Sequence, residues 1–250
     1  MKFSIITVCH NSEQTIEETI NNLSNQTFSD YEHIIVDGFS NDNTANIIRS
    51  FEKDKRIRAF SLPKSGVYNA INFAIKKAKG EIIFLLHSDD VLSSKNCLES
   101  VGNVFDSNPN ISGLYSDILI YKKNITNVYR FWRSGKFSKA KLKFGWMPPH
   151  TSLFIRREVF EDVGLYNESY KISSDYDFIL RLGDKYLSKF YYLPEVLVHM
   201  RAGGLSNKNF SAHILKEYED YIVAKKHFRF PIFVVVLKVI TKIPQLFFRS

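Results

Sequence analysis

Two short apolar runs organise the first half of this chain, and each breaks off at an aspartate. His33-Ile34-Ile35-Val36 leads into Asp37, and Ile82-Ile83-Phe84-Leu85-Leu86 leads into His87-Ser88-Asp89-Asp90. Such a run has no polar face, so it predicts a strand covered on both sides, as in a parallel sheet under helices. The stretches around these strands carry helical spacing instead. Ile16, Ile20 and Leu23 fall on one face behind a cap at Asn11 or Ser12. Ile47, Ile48 and Phe51 follow Asn41-Asp42, where Asp42 is expected to cap the helix. A helix over about 67–79 is expected to stop at Gly80, and another carries Leu98, Val101, Val104 and Phe105 before Pro109. With strands at 3–8 and 58–62, the order is strand, helix, strand, helix, which predicts an α/β fold with a doubly wound sheet.

The second half is less regular. Residues 113–121 read as a strand with Asp117 inside it. Ser173 or Ser174 can cap a helix with Asp175 and Asp177 in its first turn and Phe178, Ile179 and Leu182 on its apolar face. A helix from near Ser211 carries Ile214, Leu215, Tyr218 and Ile222. The tail beyond Pro231 is apolar but interrupted by Lys238, Lys242 and Pro244, too broken for the roughly 20 apolar residues of a membrane span. It predicts an interfacial helix at an anionic membrane or, by the same amphipathic pattern, a helix packed on the domain or on a second subunit. The expected division is a domain over 1–210 and a helical, membrane-associating tail over 211–250, which sets attachment rather than catalysis.

The aspartates change the picture from fold to chemistry. Ligands of open α/β sheets bind at the carboxyl ends of the strands, so two strands deliver Asp37, Asp89 and Asp90 to that rim. An acid pair at the end of a buried strand needs water, hydrogen-bond donors or a cation. In a chain of net charge +8, a divalent cation carrying a phosphorylated ligand fits, since Mg²⁺ is held by one or two carboxylates plus substrate phosphates. Hydrophobic content of 44% and charged content of 24% argue against disorder. Cys9 and Cys97 provide neither a disulfide framework nor a metal spacing. The short apolar N-terminus lacks a cleavage site, so a cytoplasmic protein is expected. Between Ile118 and Arg157 there is no acid, while Lys and Arg alternate with Phe131, Trp132, Phe137, Phe144 and Trp146. That stretch reads as a solvated surface or as a face toward a lipid diphosphate at a membrane. Nucleic-acid binding is a further reading of the charge, without a supporting motif.

Several segments together are recognisable. Ser4-Ile-Ile-Thr-Val-Cys-His-Asn-Ser resembles the first strand and turn of the family 2, GT-A fold nucleotide-sugar glycosyltransferases of bacterial polysaccharide and O-antigen assembly. The segment from Ile35 to Thr44 is similar to their "VDGGSTDGT", that from Gly66 to Asn72 to "GIYDAMN", and His87-Ser88-Asp89-Asp90 to their metal-binding "DxD" variant. Pro149-His150-Thr151-Ser152 and Ser174-Asp175-Tyr176-Asp177 resemble "PHQ" and "EDYD". Lys64, His87 and Ser174 depart from the usual residues, and Lys64 and Ser174 also keep open a catalytically silent assembly partner.

The resemblance implies a mixed sheet flanked by helices and an inverting transfer from a nucleotide-diphosphate donor, a UDP-sugar, to a glycan growing on a lipid carrier. It implies Asp175 as catalytic base and Asp90 as ligand of Mn²⁺ or Mg²⁺, with Asp89 beside it. Asp37 would read the base, although Asp-Gly is also a turn pair. Asn11, Tyr68, His199 and Arg201 fall on the donor side, and His150 and Trp146 on the acceptor side. His199 and Arg201 are expected in a glycine-rich loop, and Asp177 is expected to be only a first-turn acid. The implied location is the inner face of the cell membrane, without nucleic acid.

Overall fold

The computed structural model describes residues 1–63, 66–122, 127–203 and 210–241. Four strands run parallel: β1 (Phe3–Cys9), β2 (Tyr31–Asp37), β3 (Ile57–Ser61) and β4 (Ile82–Leu85), in the order β3-β2-β1-β4. Between them lie α1 (Ile16–Ser24), α2 (Thr44–Ser50) and α3 (Val67–Lys77). After β4 come β5 (Val91–Leu92), α4 (Cys97–Ser107), β6 (Gly113–Tyr121), β7 (Val128–Trp132), α5 (Lys139–Lys143), a 3₁₀ turn at His150–Ser152, β8 (Phe154–Arg156) and α6 (Arg157–Val163). The chain continues through α7 (Ser174–Leu187), β9 (Phe190–Arg201), α8 (Phe210–His227) and α9 (Pro231–Ile240).

Winding is parallel only as far as β4. There β8 inserts antiparallel, β6 follows antiparallel to β8, β9 runs parallel to β6, and β5 closes the row against β9. The sheet is therefore mixed, as the family resemblance implied, and not the fully doubly wound parallel sheet of the simple alternation. The apolar runs explain its burial. Phe3, Ile5, Ile82 and Phe84 pack on the side of α4, while Ile6, Ile34, Val36 and Ile83 face α3, α6 and α7.

Four local expectations are corrected. Asn11 and Ser12 do not cap α1 with their side chains. Asn11 takes a left-handed φ of 52° in the turn, and the Ser12 carbonyl accepts from the Thr15 and Ile16 N–H groups before the helix begins. Gly80 does not end α3, which stops at Lys77. A Cβ on Gly80 would lie 2.4 Å from the Ser4 backbone nitrogen, so the glycine serves close passage against β1.

In α8 the expected apolar face is only partly the buried one. Ile214 and Tyr218 are exposed, and Glu219, Asp220, Val223 and Ala224 are buried, because the helix offers carboxylates to partners just ahead of α7 and on α9. Finally, Lys238 does not face a leaflet. It is 4% exposed and bonds the Asp220 carboxylate at 2.9 Å, so α9 packs on the body of the protein through Val234 and Lys238. The other face of α9 leaves Ile232, Phe233, Val236, Val239 and Ile240 exposed. Lys242, Pro244 and Arg249 lie outside the described residues. No helix among the described residues is long and apolar enough to cross a membrane.

Candidate active site

β2 and β4 flank β1 in parallel, so their carboxyl ends share one edge of the sheet. Asp37 is the last residue of β2 and is buried. Its carboxylate accepts from the Ser40 N–H at 3.1 Å and from the Ser40 hydroxyl, which closes a turn of the kind the Asp-Gly pair suggested. The Asn11 side chain binds the same turn: its Oδ1 accepts from the Asn41 N–H at 2.8 Å, and its own N–H donates to Ser40 Oγ. Asp42 is not the cap expected of it: the N-cap of α2 is Asn43, without a side-chain bond, and Asp42 accepts from the Thr44 N–H at 3.0 Å in a turn one residue ahead.

Past β4, the chain turns at His87 and delivers Asp89 and Asp90 into a corner built by β5 and β9. Asp90 is 2% exposed and accepts the Arg201 N–H at 3.1 Å. His199 sits opposite Val91, the residue after Asp90, so His199 and Arg201 belong to the end of β9 and not to a loop. The Arg201 guanidinium reaches Glu18 at 2.8 Å and lies over the Tyr121 ring. Burial and the neighbouring Asp89 push the Asp90 carboxyl well above the usual carboxylate range, with Arg201 offsetting only part. Burial also raises Asp89.

Two adjacent acids held this way lack positive charge, and a divalent cation fits the deficit. Asp90 would hold it with Asp89 alongside. Among the described residues no three His, Cys, Asp or Glu side chains gather closely enough to hold a metal alone. Ligand phosphates would complete such a shell.

A second group adjoins the first through His87. Burial, and then His150, lower the His87 imidazole to about 4. Its ring meets that of His150 edge-on at 5.6 Å, and His150 Nδ1 lies 3.0 Å from Asp175 Oδ2. Asp175, in the first turn of α7, therefore stands beside the turn that carries the acid pair. In the same segments, the buried polar atoms His87 Nε2, Thr151 Oγ1 and Ser174 Oγ have no protein partner. Buried polar atoms are nearly always paired, so unpaired ones in the segments that carry His87, His150 and Asp175 are consistent with a ligand site there. Neither the His150–Asp175 pair nor the place of His87 could be read from sequence spacing. The rigid Met147-Pro148-Pro149 approach to His150 was the available signal.

Other candidates have structural employment. The Tyr68 hydroxyl donates to the Ile172 carbonyl, and its ring stacks on Tyr166 beneath the start of α7. Trp146 donates its indole N–H to the Ser134 carbonyl at 2.8 Å. Asp177 pairs with Arg181 one turn on, as a helix acid should. Asp117 accepts from the Ser134 N–H and the Tyr192 hydroxyl. In the basic stretch, Arg130 lies over Trp132, Arg133 over Phe131 and Lys141 over Trp146, so these cations and rings pair within the protein. Lys64 lies outside the described residues.

Comparison with known proteins bears on the family and the fold. Residues 4–164 match the model of glycosyl transferase family 2. A PGL/p-HBAD biosynthesis glycosyltransferase of Mycobacterium bovis is 29% identical over 217 residues, 86% of this chain and 82% of that protein. An uncharacterised glycosyltransferase of Rickettsia typhi is 30% identical over 230 residues, 86% of this chain and 69% of that one.

Among solved structures, Staphylococcus aureus TarS 1–349 in complex with UDP-GlcNAc superposes with a TM-score of 0.69 at 20% identity, over 90% of this chain and 71% of that chain. A mannosyltransferase from Pyrobaculum calidifontis in complex with GDP-Man and Mn²⁺ gives 0.66 at 18% identity, over 95% and 68%. The chain belongs to glycosyl transferase family 2, has the GT-A fold, and is an enzyme of glycosyl transfer.

Proposed function

We propose that this family 2 enzyme transfers a sugar with inversion from a UDP-sugar to a glycan growing on a lipid diphosphate, in surface polysaccharide assembly of the O-antigen kind. The reading is carried by one observation: the run His87–His150–Asp175 links a carboxylate to the turn that leads into the strand-end acid pair. A displacement at an anomeric carbon needs both parts together, a proton acceptor on the attacking side and charge neutralisation on the leaving side. The acceptor oxygen attacks the anomeric carbon, the bond to the diphosphate breaks, and the hydroxyl proton passes to Asp175. His150, at 3.0 Å, holds that carboxylate in place. Asp90, with Asp89 alongside, would hold Mn²⁺ or Mg²⁺, which would supply positive charge against the departing diphosphate. The family match ends before Asp175, so its role rests on this geometry.

Support for the donor comes from the strand-end Asp37 and from the relative solved with UDP-GlcNAc. The neighbour holding GDP-Man makes the nucleotide the first thing to measure. Support for a membrane-borne acceptor comes from the exposed apolar faces of α8 and α9 and the net charge of +8. The peripheral location on the inner face of the membrane belongs to the same proposal.

The test is calorimetric titration of UDP and GDP, with and without Mn²⁺, into the wild-type protein and Asp90→Ala. UDP should bind with Mn²⁺ and lose that metal dependence in the variant. Unchanged affinity in Asp90→Ala would remove Asp90 from the site, and preference for GDP would overturn the UDP assignment.

A further inference from the structure

The C-terminal helices look like an appendage in the sequence, but their buried charges converge on the start of α7. Glu219 of α8 is 7% exposed and accepts three successive backbone N–H groups, those of Lys171 at 2.8 Å and of Ile172 and Ser173 at 2.9 Å. These are the residues that lead into Ser174 and Asp175. The Ser173 hydroxyl donates to the Lys216 carbonyl, also on α8. Asp220 then receives Lys216 at 2.7 Å and Lys238 of α9 at 2.9 Å. The Lys238 ammonium lies 3.4 Å from the centre of the Tyr176 ring, the residue after Asp175. From the opposite side, Tyr68 of α3 bonds the Ile172 carbonyl.

Burying these charges is costly unless each is paired and hydrogen-bonded. Here the pairing spans three helices, and the contacts of Glu219, of the Lys216 carbonyl and of Lys238 with Tyr176 end within four residues of Asp175. A free membrane anchor would need none of it.

We propose that the α8–α9 hairpin is the mount of the catalytic base, with Glu219 and Lys238 as positioning residues for Asp175. The inference rests on the reading of Asp175 given above. Positioning matters because a displacement of about 1 Å at a reacting group can cost on the order of a hundredfold in rate. Glu219 fixes the three amides ahead of Asp175, and Lys238 fixes the ring behind it.

The experiment uses the full-length protein and two readouts. Amide hydrogen exchange follows residues 171–177 against the strands β1 to β4, and UDP release from UDP-N-acetylglucosamine gives kcat and donor KM. Glu219→Ala and Lys238→Met should each speed exchange at 171–177 by about tenfold or more while the sheet stays protected. They should lower kcat by about tenfold or more and leave donor KM within about twofold. Glu219→Gln keeps one acceptor oxygen and should recover part of both. It carries the test if Glu219→Ala loosens the sheet as well.

Unchanged exchange at 171–177 and unchanged kcat, beside an inactive Asp175→Asn, would overturn the mount. An Asp175→Asn protein of normal turnover would instead overturn the base. Exchange at 171–177 would still decide whether the hairpin holds that segment, since it needs no donor.

Discussion

Asp175 and His150 come from different elements, yet lie within hydrogen-bond distance, and their pairing defines what each should do when replaced. Asp175→Asn keeps the side chain's size and removes its proton acceptor. Turnover should fall by about 10² to 10⁴, the usual worth of a general base, with donor affinity retained. His150→Gln keeps an N–H able to reach the carboxylate and should cost about tenfold, short of that range. Steady-state rates with calorimetric donor affinities check both; an Asp175→Asn enzyme within tenfold of wild type would place the base elsewhere. The positions of these acids, at a strand end and in the first turn of a helix, could be anticipated, because the sequence shows where a chain segment ends. The partner of Asp175 could not, since a contact between His150 and α7 depends on the path between them.

His33 makes the same point for stability. It lies in an apolar run, bonded through Nε2 to Thr7 Oγ1 at 2.9 Å, and burial, with Arg56 adding, lowers its imidazole to about 3 despite the nearby Asp54. An unfolded histidine titrates near 6.5. Below that pH the unfolded chain takes up a proton that the native state refuses, so this contribution is intact above about pH 6.5 and is lost as the pH falls toward 3. The slope is about 1.4 kcal/mol per pH unit for one proton. Denaturant unfolding of wild type and His33→Gln at pH 7 and pH 5 should show the variant losing less stability over that interval. Parallel losses would exclude His33 as the source.

At the scale of elements, periodicity served where burial was simple. β6 spans Gly113–Tyr121 as the apolar pattern suggested, and the starts of α3 and α7 fall where expected. It failed where a helix buries charge. α8 turns Glu219 and Asp220 inward because amides of another segment and lysines of two helices await them, and no hydrophobicity pattern contains that information. The docking of α9 can be tested at Gly145, whose φ is +77°. A Cβ there would lie 2.5 Å from the Lys238 backbone nitrogen and 2.7 Å from the Val234 carbonyl oxygen. Gly135 is the control: its φ is +65°, but the nearest atom to an added Cβ is the flexible Lys141 ammonium at 3.6 Å. Gly135→Ala should show left-handed strain alone, about 1–2 kcal/mol. Gly145→Ala should add the displacement of α9 and melt lower by several degrees more, at roughly 2–4 °C per kcal/mol for a chain of this size. Equal melting temperatures would mean that α9 contributes little to the fold.

At the scale of the molecule, the apolar surface left over by this packing has to meet something. Ile232, Phe233, Val236, Val239 and Ile240 are exposed on α9, and Phe210, Ile214 and Tyr218 recur at helical spacing along α8. Grouped exposure of this kind marks an interaction face more often than ordinary surface. The proposed membrane-borne acceptor would account for the face and for the basic net charge together, since Lys and Arg near an anionic leaflet contribute about 1 kcal/mol each. Removing the tail would be a poor test, because α9 also closes over Gly145 and pairs with Asp220. A charge on the outer face leaves that packing alone. Burying one large apolar side chain stabilises by about 1.5–3 kcal/mol, so Ile232→Asp with Phe233→Asp should weaken binding to phosphatidylglycerol vesicles by about a hundredfold or more. Wild-type protein should sediment with those vesicles and far less with phosphatidylcholine. UDP binding should not change in the double variant, since neither residue approaches the strand-end acids. Equal sedimentation of wild type and variant would deny the membrane this face, and a shift from dimer to monomer by light scattering in the variant would assign it to a second copy of the chain.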